Sequence, residues 1–531
     1  MSSASPVLSR RKLPIGIQTL SEIRASDAYY VDKTGLVIDL IESGKCFFLS
    51  RPRRFGKSLL VDTMKELFEG NRALFAGLAA ETRWDWRRRH PVIQISFSDG
   101  VLQSRMELDR RIHDILRINR ERLGLVLSPG VDPADVPGNL LDLIRMAHRE
   151  IGQQVVVLID EYDKPILDNI TDARVALAMR EGLKNLYSVL KGADAHLKFV
   201  FLTGVSKFSK VSLFSGLNQL TDITLDAEYS ALCGYTDADI DSVFAPELPG
   251  LDRERIRAWY NGYNWLGESV YNPFDVLLLF RKRRFQAYWF ETGTPTFLVK
   301  LLTEHRQFTP DLGRIVASED VLSTFDVDAI LPEALLFQAG YLTIASFEEL
   351  PNQYELTLKY PNHEVQASLN GSLLRSYAGD PSEPGRHTGR LWRLLKAGDV
   401  AGMQALFHAF FASIPHDWYR NSPIAQFEGY DASIFYSHFA ALGLDIVVED
   451  TTNHGRIDMT VLACGAVWLF EFKVVELVPQ GRALQQLKDK GYADKYQARS
   501  EPIHLIGVEF SKAERNIVRF EVQTLPAAAA G

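Results

Sequence analysis

The sequence predicts an α/β protein with two sheet-containing parts separated by a more helical middle, and three observations carry that expectation. Short apolar runs alternate with longer amphipathic segments up to about residue 240, the pattern of a largely parallel sheet covered by helices. Between residues 230 and 375 the text turns helical and aromatic, as in WYNGYNW (259–265) and YNPFDVLL (271–278). Beyond residue 443 alternating strands return. At 531 residues the chain also exceeds what one hydrophobic core supports, so several domains are expected.

The N-terminal strands are read at 46–50, 92–97, 155–160 and 199–203. The middle region reads as a lid or winged-helix-like element. The stretch YAGDPSEPGRHTG (377–389) mixes glycine, proline and charge without periodicity and is the expected linker. Helical text from 391 to about 443 leads into strands at 447–450, 457–462 and 467–475, then a helix and a strand at 504–509. The tail PAAAAG is expected to be loose.

Composition bounds the function classes. Hydrophobic residues make up 46% and charged residues 24%, which excludes a disordered chain. A net charge of −8 argues against a uniformly basic nucleic-acid coat, although a local groove is still open. The clusters RRRH (87–90) and RKRR (281–284) read as solvated edges. Three scattered cysteines, Cys46, Cys233 and Cys464, fit a reducing compartment and suggest neither a disulfide framework nor zinc. With no signal peptide and no apolar run of about 18 residues, a cytoplasmic location away from membranes is expected.

The segment RPRRFGKSLL (51–60) raises a question, because Arg51 stands where a phosphate-binding loop has its first glycine. Its surroundings are nonetheless strand, loop, helix: CFFLS precedes it, and LLVDTMKELFEG places Leu60, Met64, Leu67 and Phe68 on one helical face before Gly70. In that setting backbone N–H groups and Lys57 can hold phosphates, Ser58 can reach Mg²⁺, and Gly56 keeps the close backbone approach. VVVLIDEYD (155–163) reads as a strand buried on both faces that ends in two acids. Asp160 is suited to magnesium through water and Glu161 to polarising an attacking water. KFVFLTGVSKFS adds Thr203 and Ser206 as candidate γ-phosphate sensors, against ordinary end-of-strand hydrogen bonding.

The second constellation is GRIDMTVLACGAVWLFEFK (455–473). If Cys464-Gly465 is a two-residue hairpin turn, Leu462 faces Val467, Thr460 faces Leu469 and Asp458 faces Glu471, with Lys473 on the face of Glu471 and Arg456 opposite it. Carboxylates opposed about 5 Å apart repel unless a cation lies between them. Oxygen ligands suit Mg²⁺ or Mn²⁺, and Lys473 would orient or help deprotonate a water, which describes phosphodiester hydrolysis. Trp468, Phe470, Phe472 and Val474 are expected to pack the other face on helices. His438 and His454 read as packing or surface histidines.

Together LPIGIQTLSEIR, YYVDKTGLV, FLSRPRRFGKSLL, VVVLIDEYDKPI, FLTGVSKFSKVSLFSGLNQL, WYNGYNW with YNPF, and GRID with EFK resemble an AAA-ATPase-like domain joined to a C-terminal nuclease of the PD-(D/E)XK superfamily. The resemblance implies a P-loop NTPase domain with a parallel sheet at 1–235, a helical or winged-helix-like region at 236–376, a linker at 377–390 and a restriction-endonuclease-like α/β domain at 391–531. It implies phosphate binding by Gly56, Lys57 and Ser58 and magnesium or water roles for Asp160 and for Glu161, the expected ATPase catalytic residue; Arg54, Phe55, Leu59 and Thr203 are further candidates for holding ATP, and Ser58 with Asp160 for magnesium. The nuclease roles fall on Asp458, Glu471 and Lys473, the first two holding Mg²⁺ or Mn²⁺. Glu428 on the preceding helix and Gln486 on the following one join them, with Gln485 as an alternative. Asp458 follows isoleucine where the family name has proline, which carries no chemistry. The expected function is a magnesium-dependent nuclease controlled by ATP, acting on DNA ahead of RNA, with homo-oligomerisation open and defence against foreign nucleic acid suggested by the domain pairing. The alternatives are a regulatory NTPase whose second domain binds nucleic acid without cutting it, and a small-molecule kinase.

Overall fold

The computed structural model describes residues 9–207, 219–290, 298, 302, 309–323, 331–351, 353–377, 383–413, 430–452, 454–476 and 478–526. The chain forms two compact units, one of Met1–Thr292 with Ile315–Asn362 and one of Gly293–Arg314 with His363–Gly531.

In the first unit, five parallel strands, β1 (Cys46–Ser50), β2 (Val92–Ser96), β3 (Val155–Asp160), β4 (Leu197–Gly204) and β5 (Thr221–Asp222), form a sheet of order β2-β3-β4-β1-β5. Every residue of β1 and β3 is buried, which is why both read as unbroken apolar runs: helices cover both sheet faces. β4 separates β1 from β3, so the phosphate loop after β1 and the acids after β3 end on the same sheet edge with one strand between them.

The middle region of this unit holds helices Arg253–Tyr260 and Pro273–Lys282 around an aromatic core that includes Tyr29, Phe244, Tyr271 and Phe280. It continues as β6 (Val316–Ser318), helices Glu319–Ser323 and Pro332–Ala339, and the hairpin of β7 (Thr343–Leu350) and β8 (Gln353–Lys359). β6 pairs with β8 in the antiparallel order β6-β8-β7, a winged-helix arrangement.

The second unit is a sheet of order β13-β12-β11-β10-β9, made of β9 (Asp445–Thr452), β10 (Gly455–Ala463), β11 (Ala466–Val475), β12 (Ile503–Ser511) and β13 (Asn516–Leu525). Only β11 and β12 run parallel, and helix Arg482–Asp489 lies in the connection between them. Helix Tyr430–Ala440 covers one face, where Phe435 and Phe439 pack on Phe470, with Phe435 also meeting Phe472. β13 is a strand that the sequence reading left unassigned.

The expected linker differs. Glu383–Ala397 is helical, and the two units part at Asn362 and His363. The reason is local: Pro384 stands in the first helical turn, where a missing N–H costs nothing, and the following Leu391 and Leu395 are both buried one turn apart.

Candidate functional site

The phosphate loop is built from outside by Arg51. Its guanidinium is fully buried, donating to the carbonyls of Ser50 (2.8 Å), Thr224 (3.0 Å) and Tyr229 (3.2 Å), and it stacks 4.0 Å from the Trp265 ring centre. Burial pushes its pKa down to about 10. The side chain at the position of the first loop glycine therefore lies outside the cavity lined by Arg54 to Leu59 and ties β1 to residues 224–229 and to the WYNGYNW segment. Trp289 Nε1 donates to the Arg53 carbonyl at 3.0 Å, and Phe55 meets Tyr263 and Trp265 edge-on.

Gly56 caps helix Lys57–Phe68 with φ 91°, a left-handed conformation that glycine adopts without a Cβ clash. Lys57 is buried, and its Nζ donates to the carbonyls of Arg51 (2.8 Å) and Pro52 (2.9 Å). Burial lowers its pKa, against the attraction of Asp160. Arg54, Phe55, Gly56, Lys57, Ser58, Leu59 and Glu161 all line a cavity of about 570 Å³.

Ser58 Oγ donates to Asp160 Oδ2 at 2.6 Å, joining the loop helix to the end of β3. Asp160 is buried, its Oδ1 has no hydrogen-bond partner, and burial raises its pKa. Glu161 has φ 52°, a strained conformation for this residue, and burial followed by the neighbouring Asp160 raises its pKa.

Two expected sensors are placed otherwise. Thr203 is fully buried and donates to the Leu49 carbonyl at 2.9 Å, inside the β4–β1 seam, so its hydroxyl is spent within the sheet. Ser206 donates to Asp163 Oδ2 at 2.7 Å. Asp163, which sequence reading passed over, accepts the backbone N–H groups of Val205 and Ser206 and latches the ends of β3 and β4 together.

In the second unit Cys464 (φ 54°) and Gly465 (φ 72°) form the two-residue turn, and Leu462 pairs with Val467 and Thr460 with Leu469. The ladder stops at Met459 and Phe470. One step further the Asp458 carboxylate accepts the Phe472 N–H at 2.8 Å, taking the part of a backbone acceptor where the strands begin to part. Arg456 is not set against Lys473; it aligns with Thr451 of β9 and pairs with Glu449 at 3.1 Å.

Glu471 is fully buried; Lys473 Nζ lies 2.8 Å from its Oε1, Gln486 Nε2 donates to the same oxygen, and Oε2 has no hydrogen-bond partner. Burial, with Asp458 adding to it, pushes Glu471 up to about 7, and burial raises Asp458. Gln485 instead pairs with Asp489 at 2.6 Å on the exposed side of its helix. Glu428 lies outside the described residues. His438 is buried against Phe407 and Phe410, and burial pulls it down to about 4.

Two residues that sequence reading missed dock the helix carrying Gln486. Glu509, paired with Lys473 across β11 and β12, accepts the backbone N–H groups of Gln480 (2.6 Å) and Arg482 (2.7 Å). Gly507 pairs with Glu471, and a Cβ there would stand 2.2 Å from Leu484 N. The signal was a glycine inside a strand, which often marks close approach of another backbone.

Residues 14–214 match the family described as Predicted AAA-ATPase, and residues 426–520 match the PD-(D/E)XK nuclease superfamily. Over 519 residues the chain is 62% identical to an uncharacterized protein in the vnfD 5′ region of Azotobacter chroococcum mcd 1, covering 98% of this chain and 100% of that protein. This chain belongs to the AAA-ATPase-like proteins with a PD-(D/E)XK nuclease superfamily domain. No solved structure matches it.

The donor chemistry of both sites of this AAA-ATPase-like protein fits divalent cations. Among the described residues no three His, Cys, Asp or Glu side chains gather to hold an ion. Each site instead offers few hard oxygens, one of them buried without a partner: Asp160 Oδ1 beside Ser58, and Glu471 Oε2 beside Asp458. Magnesium bound by one or two carboxylates keeps waters and takes phosphate oxygens for the rest, so the small sets suffice.

Proposed function

We propose that this protein binds and hydrolyses ATP in its N-terminal unit and cleaves phosphodiester bonds of nucleic acid, DNA before RNA, in its C-terminal unit under ATP control. The observation that carries the reading is the fully buried Glu471, with Asp458 beside it, held by Lys473 and Gln486, on the PD-(D/E)XK superfamily domain. A buried acid raised to about 7 beside a second acid gains nothing for stability alone; a cation site gives both a purpose.

Asp458 and Glu471 would hold Mg²⁺ or Mn²⁺, which when bound lowers the pKa of water and neutralises charge on the phosphate oxygens. Lys473, which reaches solvent while touching Glu471, orients the attacking water and helps move its proton. Gln486 fixes the Glu471 carboxylate, and the Phe472 N–H fixes that of Asp458.

In the N-terminal unit Lys57, whose Nζ donates to the Arg51 and Pro52 carbonyls, turns these donors to phosphate oxygens. Ser58 and Asp160 would hold magnesium, and Glu161 polarises the attacking water.

The test is incubation with a panel of DNA and RNA substrates, with and without Mg²⁺ and ATP. Cleavage that needs the metal and responds to ATP supports the reading. Nucleic-acid binding without product under every condition would establish the regulatory alternative.

A further inference from the structure

The hairpin β7–β8 projects beyond its own sheet: residues 345–349 and 353–355 are all exposed, so solvent meets both faces of the ribbon. One face sets Glu348 directly opposite Glu355. Like charges so placed destabilise a hairpin, and Glu349, opposite Tyr354 on the other face, adds a third carboxylate. The other face exposes Phe347 (55%) and Tyr354 (37%), whose rings meet edge-on at 5.9 Å. Among the described residues none of these three carboxylates is in a salt bridge.

The same unit carries the complement. Arg281 and Lys282 close helix Pro273–Lys282, Arg284 follows it, and Arg255 reaches them from helix Arg253–Tyr260 by stacking 4.2 Å over the Phe285 ring. All four cations are exposed. Their neighbours Arg253, Arg257 and Arg283 are neutralised by Asp237, Asp241, Glu254 and Glu247, yet these four have no carboxylate within ion-pair distance among the described residues. The stack on Phe285 holds Arg255 in place while its side chain stays exposed.

We propose that the acidic aromatic wing of one molecule docks on the basic ridge of a second copy. Three unpaired acids flanking two exposed rings meet four unpaired cations beside a partly buried ring, and the two patches do not neutralise each other within one chain. Phosphate would be repelled by the wing, which is why a protein surface of opposite charge is the fitting occupant. A wing-to-ridge contact closes either as a two-fold dimer, in which each molecule gives its wing to the other's ridge, or head to tail as a ring or an open chain.

Sedimentation velocity of the full chain tests this at about 50 mM and about 500 mM salt, between which the screening length falls from roughly 14 to roughly 4 Å. The wild type is expected to form larger species at low salt and to be monomeric at high salt. Wing variant Glu348→Lys with Glu355→Lys, and ridge variant Arg281→Glu with Arg284→Glu, should each be monomeric at low salt with unchanged circular dichroism. An equimolar mixture of the two should recover the larger species, since each then offers the other opposite charge. A monomeric wild type at low salt, assembly that survives either variant, or a mixture that stays monomeric overturns the proposal. So does a monomeric wild type whose ridge variant loses nucleic-acid binding, which would assign the ridge to phosphates.

Discussion

Gly507→Ala is expected to disable cleavage while sparing the ATPase, and the size of the effect follows from one contact. The new Cβ would stand 2.2 Å from Leu484 N and 2.7 Å from Leu484 Cα, both backbone atoms of helix Arg482–Asp489 that cannot rotate away. Restoring ordinary van der Waals separation moves that helix outward by about 1 Å, a displacement of the scale that costs about 10²-fold when it reaches catalytic geometry. The same helix carries Gln486, whose amide contacts Glu471 Oε1, so the helix shift withdraws the group that fixes this carboxylate. Overpacking of this kind costs about 1–3 kcal/mol, too little to unfold a unit of this size. The assay is cleavage of plasmid DNA in Mg²⁺, with ATP hydrolysis by the same preparation as the control, because Gly507 and the phosphate loop belong to different units. Gly507→Ala cutting at the wild-type rate would refute the reasoning that close helix approach positions Gln486.

Lys57→Ala and Glu161→Gln should each suppress ATP hydrolysis at least 10²-fold in a phosphate-release assay, while nucleotide binding falls for Lys57→Ala far more than for Glu161→Gln. Arg51→Ala should destabilise the first unit by about 2–4 kcal/mol in thermal unfolding, since it strands three buried carbonyls and opens a gap against Trp265; a change under 1 kcal/mol would deny Arg51 its anchoring part. With chelator present, Glu471 rises from 4.5 to about 7 on folding. Its stabilising protonation is therefore complete below pH 4.5 and is lost as the pH climbs through about 7, a difference of about 3 kcal/mol. The melting midpoint of the second unit should fall over that window and should fall by less in Glu471→Gln, where Asp431, also pushed up to about 7 by burial, and Asp458 still titrate.

What was legible in the sequence was local. The turn at Cys464-Gly465 fixed the register from Leu462 and Val467 inward because side chains alternate with period two, and Gly56-Lys57-Ser58 was readable because strand, loop and helix are contiguous. Partners far along the chain were not. Arg51 finds its carbonyls at Thr224 and Tyr229, and Gln486, which only the family resemblance set beside Glu471, reaches it because Gly507 and Glu509 sit on a strand brought alongside by the parallel pairing of β11 and β12. Thr203 illustrates the competing physics: a hydroxyl at the end of a central strand is satisfied by the next strand before any ligand arrives. Pro384 shows the same ambiguity in a helix, since proline ends one but also begins one.

The joint action of Asp458, Glu471 and Lys473 on phosphodiesters is tested most directly by Mg²⁺-dependent cleavage by Lys473→Ala beside the wild type. The expected result is cutting by the wild type that chelation abolishes, and loss of at least 10²-fold in the variant with its fold and ATP turnover intact. A variant that cuts as fast as the wild type would contradict it.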